Sequence, residues 1–342
     1  MDKKLLEKTA RQMVQKGKGI LAADETNRTA KKRLASIGME STENTRRQYR
    51  DLFLNTPGIE KYLSGVILYD ETLWQNDTNG KPFVDILEEK GITPGIKVDG
   101  GAKDFPGFPD EKITEGLDGL FERADAYYKH GARFTKWRAV IRITNKLPTE
   151  TCIEANAHAL ARYVRVVQEA NLVPIVEPEV LLEGNHTIET SARVISKTLK
   201  TVFATIEKYK GFLGGTILKT SMALPGSESG AKASPREVAN YTVRCLKRSV
   251  PKEIPGVVFL SGGQTPEEAT ANLDAIAALE PLPWEIAFSY ARALQGPPME
   301  AWQGKPENID MARKIFLKRL DLNIKADKGE YEEGMENKLA KS

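Results

Sequence analysis

The sequence predicts an α/β protein, a (β/α)8 TIM barrel of one domain with a polar C-terminal tail, and three observations carry that prediction. Eight short β-rich apolar stretches recur along the 342 residues. Segments of helical period separate them, which implies parallel strands joined by right-handed crossovers. Most of the stretches end, within a residue or two, in a charged or hydroxyl side chain. An open doubly wound sheet also alternates strand with helix. It usually has fewer strands and a Gly-rich dinucleotide turn, and no GxGxxG follows the first stretch here. Closure of eight strands puts all their carboxyl ends on one face, where scattered charges can converge on a single pocket.

In order, the strand candidates are residues 19–24, 63–70, 93–98, 133–140, 172–179, 214–220, 256–261 and 284–289. The N-terminal run MDKKLLEKTARQM has helical spacing of its apolar residues and no apolar signal-peptide core. Further helices are expected over 117–130 and 187–210, each followed by Gly, and over 151–170, 235–249 and 265–280. The last two announce their own starts. Ser234-Pro235-Arg236-Glu237 and Thr265-Pro266-Glu267-Glu268 both place a capping hydroxyl before a first-turn Pro, with Glu three residues on. Barrels of this kind take 250 residues or more as one unit, so residues 1–325 are expected to form one catalytic domain. The polar, Gly-punctuated run over 326–342 reads as a mobile tail or flap.

Hydrophobic content of 40% with 28% charge suffices for a buried core. Fifty basic and 47 acidic residues are well mixed, which argues against nucleic acid or a membrane surface as partner but leaves small anions open. Cys152 and Cys245, the only cysteines, form neither a CxxC motif nor a disulfide framework. Reduced thiols, and no stretch long enough to span a bilayer, make the cytoplasm the expected compartment. His130, His158 and His186 are widely separated and lack metal-ligand spacing, so no metal is expected.

The candidate chemistry lies at the strand ends. Lys219 closes the apolar run GGTILKT, where burial and a neighbouring cation would both favour a neutral, nucleophilic amine. A snorkelling lysine is the competing reading. Lys136 and Arg138, two residues apart, share one side of their strand, and Glu177 and Glu179 share one side of the next, with Pro178 on the other. Paired carboxylates suit one acid and one base, although a salt-bridge cluster balancing Lys136 and Arg138 would look the same. Asp24 ends the first strand, and Lys97 and Asp99 make another same-side pair. Ser261-Gly262-Gly263 offers a hydroxyl and backbone N–H groups to a phosphate, unless it is only a turn. Arg292, just past Phe288-Ser289-Tyr290-Ala291, adds a guanidinium fork, and Arg33 could serve a second anion.

Taken together, GKGILAAD, GIKVD, FTKWR, VPIVEPE, ILK, FLSGGQ and SYARALQ resemble class I fructose-bisphosphate aldolase, with the motifs in the same order over residues 17–317. The resemblance implies a metal-independent, cofactor-free carbon–carbon lyase acting on a phosphorylated sugar, commonly a homotetramer. By that resemblance Lys219 is the Schiff-base lysine and Glu177 the acid/base that assists loss of water. Asp24 handles the C4 hydroxyl proton, Lys136 steadies the intermediates, and Glu179 and Lys97 belong to the same polar network. Ser261, Gly262, Ser289, Ala291 and Arg292 match the site for the C1 phosphate, Gly263 is counted with them as substrate-binding, and Arg33 and Arg138 match basic residues that meet the substrate elsewhere.

The chain departs from the family pattern at several points. Thr26, Arg28 and Thr29 stand in a loop that is commonly Ser-Thr-Gly-Ser, Gly214 replaces a common Glu, Thr220-Ser221 follows the lysine in place of Pro-Asn or Pro-Ser, and Ala291 replaces a usual Gly. The chain ends in Lys341-Ser342 rather than a terminal tyrosine, which makes a bacterial-type member the nearer comparison. Two other readings stand beside this one: a transaldolase-like barrel that keeps the lysine imine but changes the sugar, and a non-catalytic protein-binding scaffold.

Overall fold

The computed structural model describes residues 1–339, and within it the eight apolar stretches form one closed parallel barrel. The strands are β1 (Gly19–Ala23), β2 (Leu63–Leu68), β3 (Thr93–Lys97), β4 (Ala102–Phe105), β5 (Phe108–Thr114), β6 (Phe134–Ile141), β7 (Val173–Val180), β8 (Ile217–Thr220), β9 (Gly256–Phe259) and β10 (Glu285–Tyr290). The barrel order is β1-β10-β9-β8-β7-β6-β3-β2, while β4 and β5 pair only with each other. The helices are α1 (Lys3–Met13), α2 (Asn27–Ser36), α3 (Glu43–Leu54), α4 (Asp70–Leu73), α5 (Phe83–Glu89), α6 (Leu120–Lys129), α7 (Glu150–Glu169), α8 (Ile188–Lys208), α9 (Pro235–Ser249), α10 (Pro266–Ala277), α11 (Arg292–Trp302) and α12 (Ile309–Asp327). The barrel expectation is met, strand by strand to within a few residues.

Alternation along the strands builds two cores. Ile20, Ala22, Ile67, Phe134, Val173, Ile175, Ile217, Val258 and Ala287 point inward, and there they meet Leu6, Ala10, Met13 and Val14 of the N-terminal segment. The 4-3 spacing of Leu6, Ala10 and Met13 puts them on one face of α1, so this helix closes the amino end of the barrel as a plug. Each fully buried Leu or Ile there contributes roughly 1.5–3 kcal/mol of apolar transfer. The hydroxyl of Ser64 fixes the plug by donating to the carbonyls of Met13 at 2.5 Å and Gly19 at 3.1 Å. Gly95 is required above it, because a Cβ there would fall inside the Phe134 ring. The outward strand residues belong to the second core, between strands and helices; Trp137, for example, stacks on Tyr163 with ring centroids 5.5 Å apart. Since Trp137 faces out, its neighbours Lys136 and Arg138 face in.

Three parts of the fold differ from expectation. The β4–β5 hairpin was not foreseen because Lys103, Asp104 and Asp110 are exposed, Lys112 is half-buried, and they leave no apolar alternation to read. Helices α2 to α5 were not foreseen: α2 is mostly polar, α4 and α5 have only four and seven residues, and the apolar residues of α3 gather at its C-terminal end. The boundary expected at residue 326 falls inside α12, whose Ala326 and Asp327 are fully buried. Asp327 accepts from the Gly17 N–H at 2.9 Å, and burial pushes its carboxyl up to about 6. Beyond it Tyr331 donates its N–H to Asp274 at 2.9 Å, and Arg319 holds both oxygens of Glu336 at 2.7 Å. Lys341 and Ser342 lie outside the described residues. Among those described, no helix is long and apolar enough to cross a membrane.

Candidate active site

Above the apolar plug the inward face of the same strands turns charged. A cavity of about 600 Å³ opens at their carboxyl ends. It is lined by seven cations, Lys32, Arg33, Lys97, Lys136, Arg138, Lys219 and Arg292, against five carboxylates, Asp24, Glu25, Asp99, Glu177 and Glu179. The excess of positive charge favours an anionic occupant.

Four of these groups form a continuous chain at its floor. Glu177 on β7 places Oε1 3.2 Å from Lys219 Nζ on β8 and Oε2 3.3 Å from Lys136 Nζ on β6. Lys136 reaches on to Asp24, just past β1, at 2.6 Å. Lys219, Lys136 and Glu177 are each less than 5% exposed, so none of the charges is shared with bulk water. Burial opposes the charged form of Asp24, but Lys136 and Lys219 outweigh it and hold that carboxyl well below its ordinary range. The same contest, won by Lys136, Lys219 and Arg138, holds Glu177 low. Lys136, which burial alone would neutralise, is kept firmly charged by Asp24 and Glu177. Glu177 Oε2 makes no hydrogen bond, its contact with Lys136 being an ion pair alone.

The next shell is paired group by group. Arg138 is bound to Glu179, so the two same-side pairs of the sequence meet as Lys136 with Glu177 and Arg138 with Glu179. Catalytic and salt-bridge readings of these four residues are therefore one arrangement. Lys97 folds back onto Asp99, 2.6 Å from its carboxylate and 2.7 Å from its carbonyl. Asp99 in turn accepts from the Arg138 N–H at 3.2 Å, which ties β3 to β6.

The other side of the cavity is an anion-holding end. Ser261 and Gly262 follow β9, Ser289 lies near the end of β10, and Ala291 and Arg292 lead from it into α11. Gly262 and Gly263 both have positive φ, turning successive N–H groups one way. The first turn of α11 has no side-chain cap, and the buried hydroxyl of Ser289 has no partner. Free N–H donors and an idle hydroxyl converging on a cationic rim are what an oxyanion needs.

All but one of the expected site residues line this cavity: Asp24, Arg33, Lys97, Lys136, Arg138, Glu177, Glu179, Lys219, Ser261, Gly262, Ser289, Ala291 and Arg292. Gly263 faces a neighbouring cleft instead, close to Leu182. None of the three histidines reaches the cavity. His130 stacks on Trp74, His158 meets Tyr209, and His186 lies buried beside Gly184.

Sequence reading missed the support behind Arg33. Glu25 is buried between Arg33 and Arg50, and Tyr49 accepts from Arg33 at 2.8 Å while donating to Gln295. Gln295 donates to Glu25 at 3.0 Å and to the Ala22 carbonyl at 2.6 Å. Glu25 directly follows Asp24, and that adjacency was the one available signal.

The model of the family described as fructose-bisphosphate aldolase class-I matches residues 5–342. The chain is 50% identical over 316 residues to fructose-bisphosphate aldolase 4, cytosolic, of Arabidopsis thaliana, covering 92% of this chain and 80% of the relative. It is 48% identical to the probable fructose-bisphosphate aldolase class 1 of Xylella fastidiosa strain 9a5c, covering 95% of this chain and 98% of that one. Among solved structures, the fructose-bisphosphate aldolase of Plasmodium falciparum, determined in complex with TRAP and a small-molecule inhibitor, superposes with a TM-score of 0.95. Its identity to this chain is 48%, with 96% of each chain covered.

Proposed function

The chain belongs to the class-I fructose-bisphosphate aldolase family, and we propose that it cleaves fructose 1,6-bisphosphate reversibly through a Schiff base on Lys219. The products are dihydroxyacetone phosphate and glyceraldehyde 3-phosphate. The single observation that carries this reading is the buried chain of Lys219, Glu177, Lys136 and Asp24, with one Glu177 oxygen on each lysine.

An attacking amine must first give up its proton, and Glu177, ionised at rest, is the acceptor in contact with it. The Lys219 nitrogen then adds to C2 of the ketose, and the carbonyl oxygen takes a proton to give a carbinolamine. Glu177 returns its proton to the departing hydroxyl, water leaves, and an iminium remains. Asp24 removes the C4 hydroxyl proton. As C4 becomes an aldehyde, the C3–C4 electron pair moves toward the iminium nitrogen and leaves an enamine. Protonation at C3 and addition of water then release dihydroxyacetone phosphate and restore Lys219. Lys136 stays charged throughout and offsets the negative charge gathering beside it. Because Lys136 also stabilises the Asp24 anion, it weakens that base, and the substrate hydroxyl must displace part of the contact before Asp24 can act.

Arg292, Ser289 and the N–H groups near Gly262 and Ala291 are assigned to the C1 phosphate, with Arg33 and Arg138 left for the substrate's other end. Gripping both ends lets binding energy align C3 and C4 over the lysine. This requirement for two anions favours a bisphosphate over the transaldolase-like alternative, and the complete catalytic set disfavours a purely scaffolding role. A cytoplasmic location, which the two unpaired thiols favour, and a homotetramer, which the family resemblance implies, complete the reading; exposed Trp74 and Phe121 are apolar surface that a subunit contact would cover.

Borohydride added with dihydroxyacetone phosphate should attach the reduced ligand to Lys219, as mapped by mass spectrometry of peptides. Full activity after that treatment, or label on another residue, would refute the assignment. Turnover should survive EDTA and should prefer fructose 1,6-bisphosphate to either monophosphate.

A further inference from the structure

Both strands of the anion-holding end lean on one helix. The loop after β9 runs from Ser261 through Gln264 straight into α10, and the Gln264 side chain accepts from the buried amide of Asn272, within that helix, at 2.7 Å. On the β10 side Tyr290, which stands between Ser289 and Ala291, donates its hydroxyl to the Ala269 carbonyl at 2.9 Å. Where the first turns of α10 lie therefore decides where both sets of donors lie. Those turns are held by Arg319 of α12, which is only 2% exposed. Its Nη2 donates to the Pro266 carbonyl at 2.9 Å and to the Thr270 hydroxyl at 2.6 Å, and its Nη1 donates to both oxygens of Glu336 at 2.7 Å.

The helix dipole opposes a cation near a helix N-terminus, so Arg319 is not placed there to stabilise α10. A buried guanidinium also needs an anion, and among the described residues Glu336 is the one acid paired with it. Glu336 comes from the segment after α12, is half-buried, and accepts a further bond from the Tyr331 hydroxyl at 3.1 Å. An ion pair in this setting is poor at adding stability, but its four hydrogen bonds fix the start of α10 against both α12 and the terminal segment. We propose that Arg319, clamped by Glu336, is a positioning residue for the C1-phosphate end: it sets the donors near Gly262, Ser289 and Ala291 before substrate arrives. The segment after α12 thereby governs phosphate affinity without touching the ligand. This inference rests on the assignment of that end to the C1 phosphate.

The test pairs Glu336→Gln, which removes the charge from a half-buried side chain, with dihydroxyacetone phosphate, whose one phosphate occupies the C1 position. The concentration of this ligand giving half-maximal borohydride labelling of Lys219 should rise about tenfold, the weight of a charge-assisted hydrogen bond, while labelling at saturation stays complete. In the condensation direction, KM for glyceraldehyde 3-phosphate should stay within about twofold, because its phosphate belongs to the other end of the cavity. Arg319→Lys keeps the charge but cannot span Glu336, Pro266 and Thr270 together. It should give a similar rise, and the double variant no more than either change alone. Unchanged half-saturation in Glu336→Gln, equal losses for the two triose phosphates, or additive losses in the double variant would overturn the inference. A parent chain that takes no label would strike the Lys219 reading instead, and calorimetric titration of the same variants with dihydroxyacetone phosphate then decides this inference by the same tenfold criterion.

Discussion

The lower and upper halves of the barrel interior are built from the same inward-facing strand positions, yet one is a sealed apolar core and the other a charged cavity. On β6 the change comes between Phe134 and Lys136, on β7 between Ile175 and Glu177, on β8 between Ile217 and Lys219, and at β1 between Ala22 and Asp24. Each is a step of two residues, about 6.6 Å along a strand. Burial does not separate the halves, since Lys136, Glu177 and Lys219 are almost as hidden as Phe134 and Ile175. Pairing does. Below, apolar groups fill space against α1. Above, every buried charge faces an opposite one, and the space is left for a ligand.

The hardest blow to this comparison comes at Lys219. Lys219→Met should lower kcat by about 10⁴-fold or more, as loss of a nucleophile does, while the melting temperature holds or rises. Glu177 would keep Lys136 as partner, and replacing a buried charge with an apolar chain of similar shape is often neutral or stabilising. A large fall in melting temperature would show that the upper half carries stability as the lower half does. Glu177→Gln should cost about 10² to 10⁴ in kcat, the usual range for a lost acid/base, with little change in KM. A variant losing KM alone would remove Glu177 from the chemistry.

The lower half should respond in the opposite way. Phe134→Ala empties the ring that Gly95 and Gly65 make room for and should destabilise by about 3–5 kcal/mol in denaturant titration. Its kcat at a temperature where it stays folded should lie within tenfold of the parent. Between these extremes stands the acid stability of the upper half. Asp24 and Glu177 both titrate below their ordinary values of 3.8 and 4.5, so the stability they contribute is complete above the ordinary values and is lost as pH falls toward the depressed ones. The parent should therefore weaken from about pH 5 to about pH 3 more steeply than Asp24→Asn, measured by urea midpoints. Equal slopes would mean that the Lys136 contact does not hold Asp24 ionised.

The two halves were unequally legible in the sequence. All eight barrel strands could be read because both their faces are buried, inner against plug or cavity and outer against helices, which leaves short apolar runs ended by charge. Lys219 and Glu177 stood out for the same reason. The plug was seen only as a helix, since nothing in MDKKLLEKTARQM says which surface its apolar stripe meets. The hairpin of β4 and β5 hid because it buries little. The brace behind Arg33 hid because its parts, Glu25, Tyr49, Arg50 and Gln295, lie up to 270 residues apart, and a hydrogen bond across that distance leaves no local pattern.

That brace supplies the smallest effect and the finest test. Burial and Glu25 push the Tyr49 hydroxyl up to about 12, so it stays a neutral donor to Gln295 while accepting from Arg33. Tyr49→Phe keeps the ring against Phe53 and removes both hydrogen bonds of the hydroxyl, the one from Arg33 and the one to Gln295. Arg33 would lose one hydrogen bond and still be held by Glu25, so its hold on substrate should weaken by about 1 kcal/mol, seen as about a fivefold rise in KM with kcat unchanged. If kcat fell instead, the brace would be acting through Gln295 on the Ala22 carbonyl and Asp24, and the boundary between filled and charged halves would then be set from outside the barrel as well as along its strands.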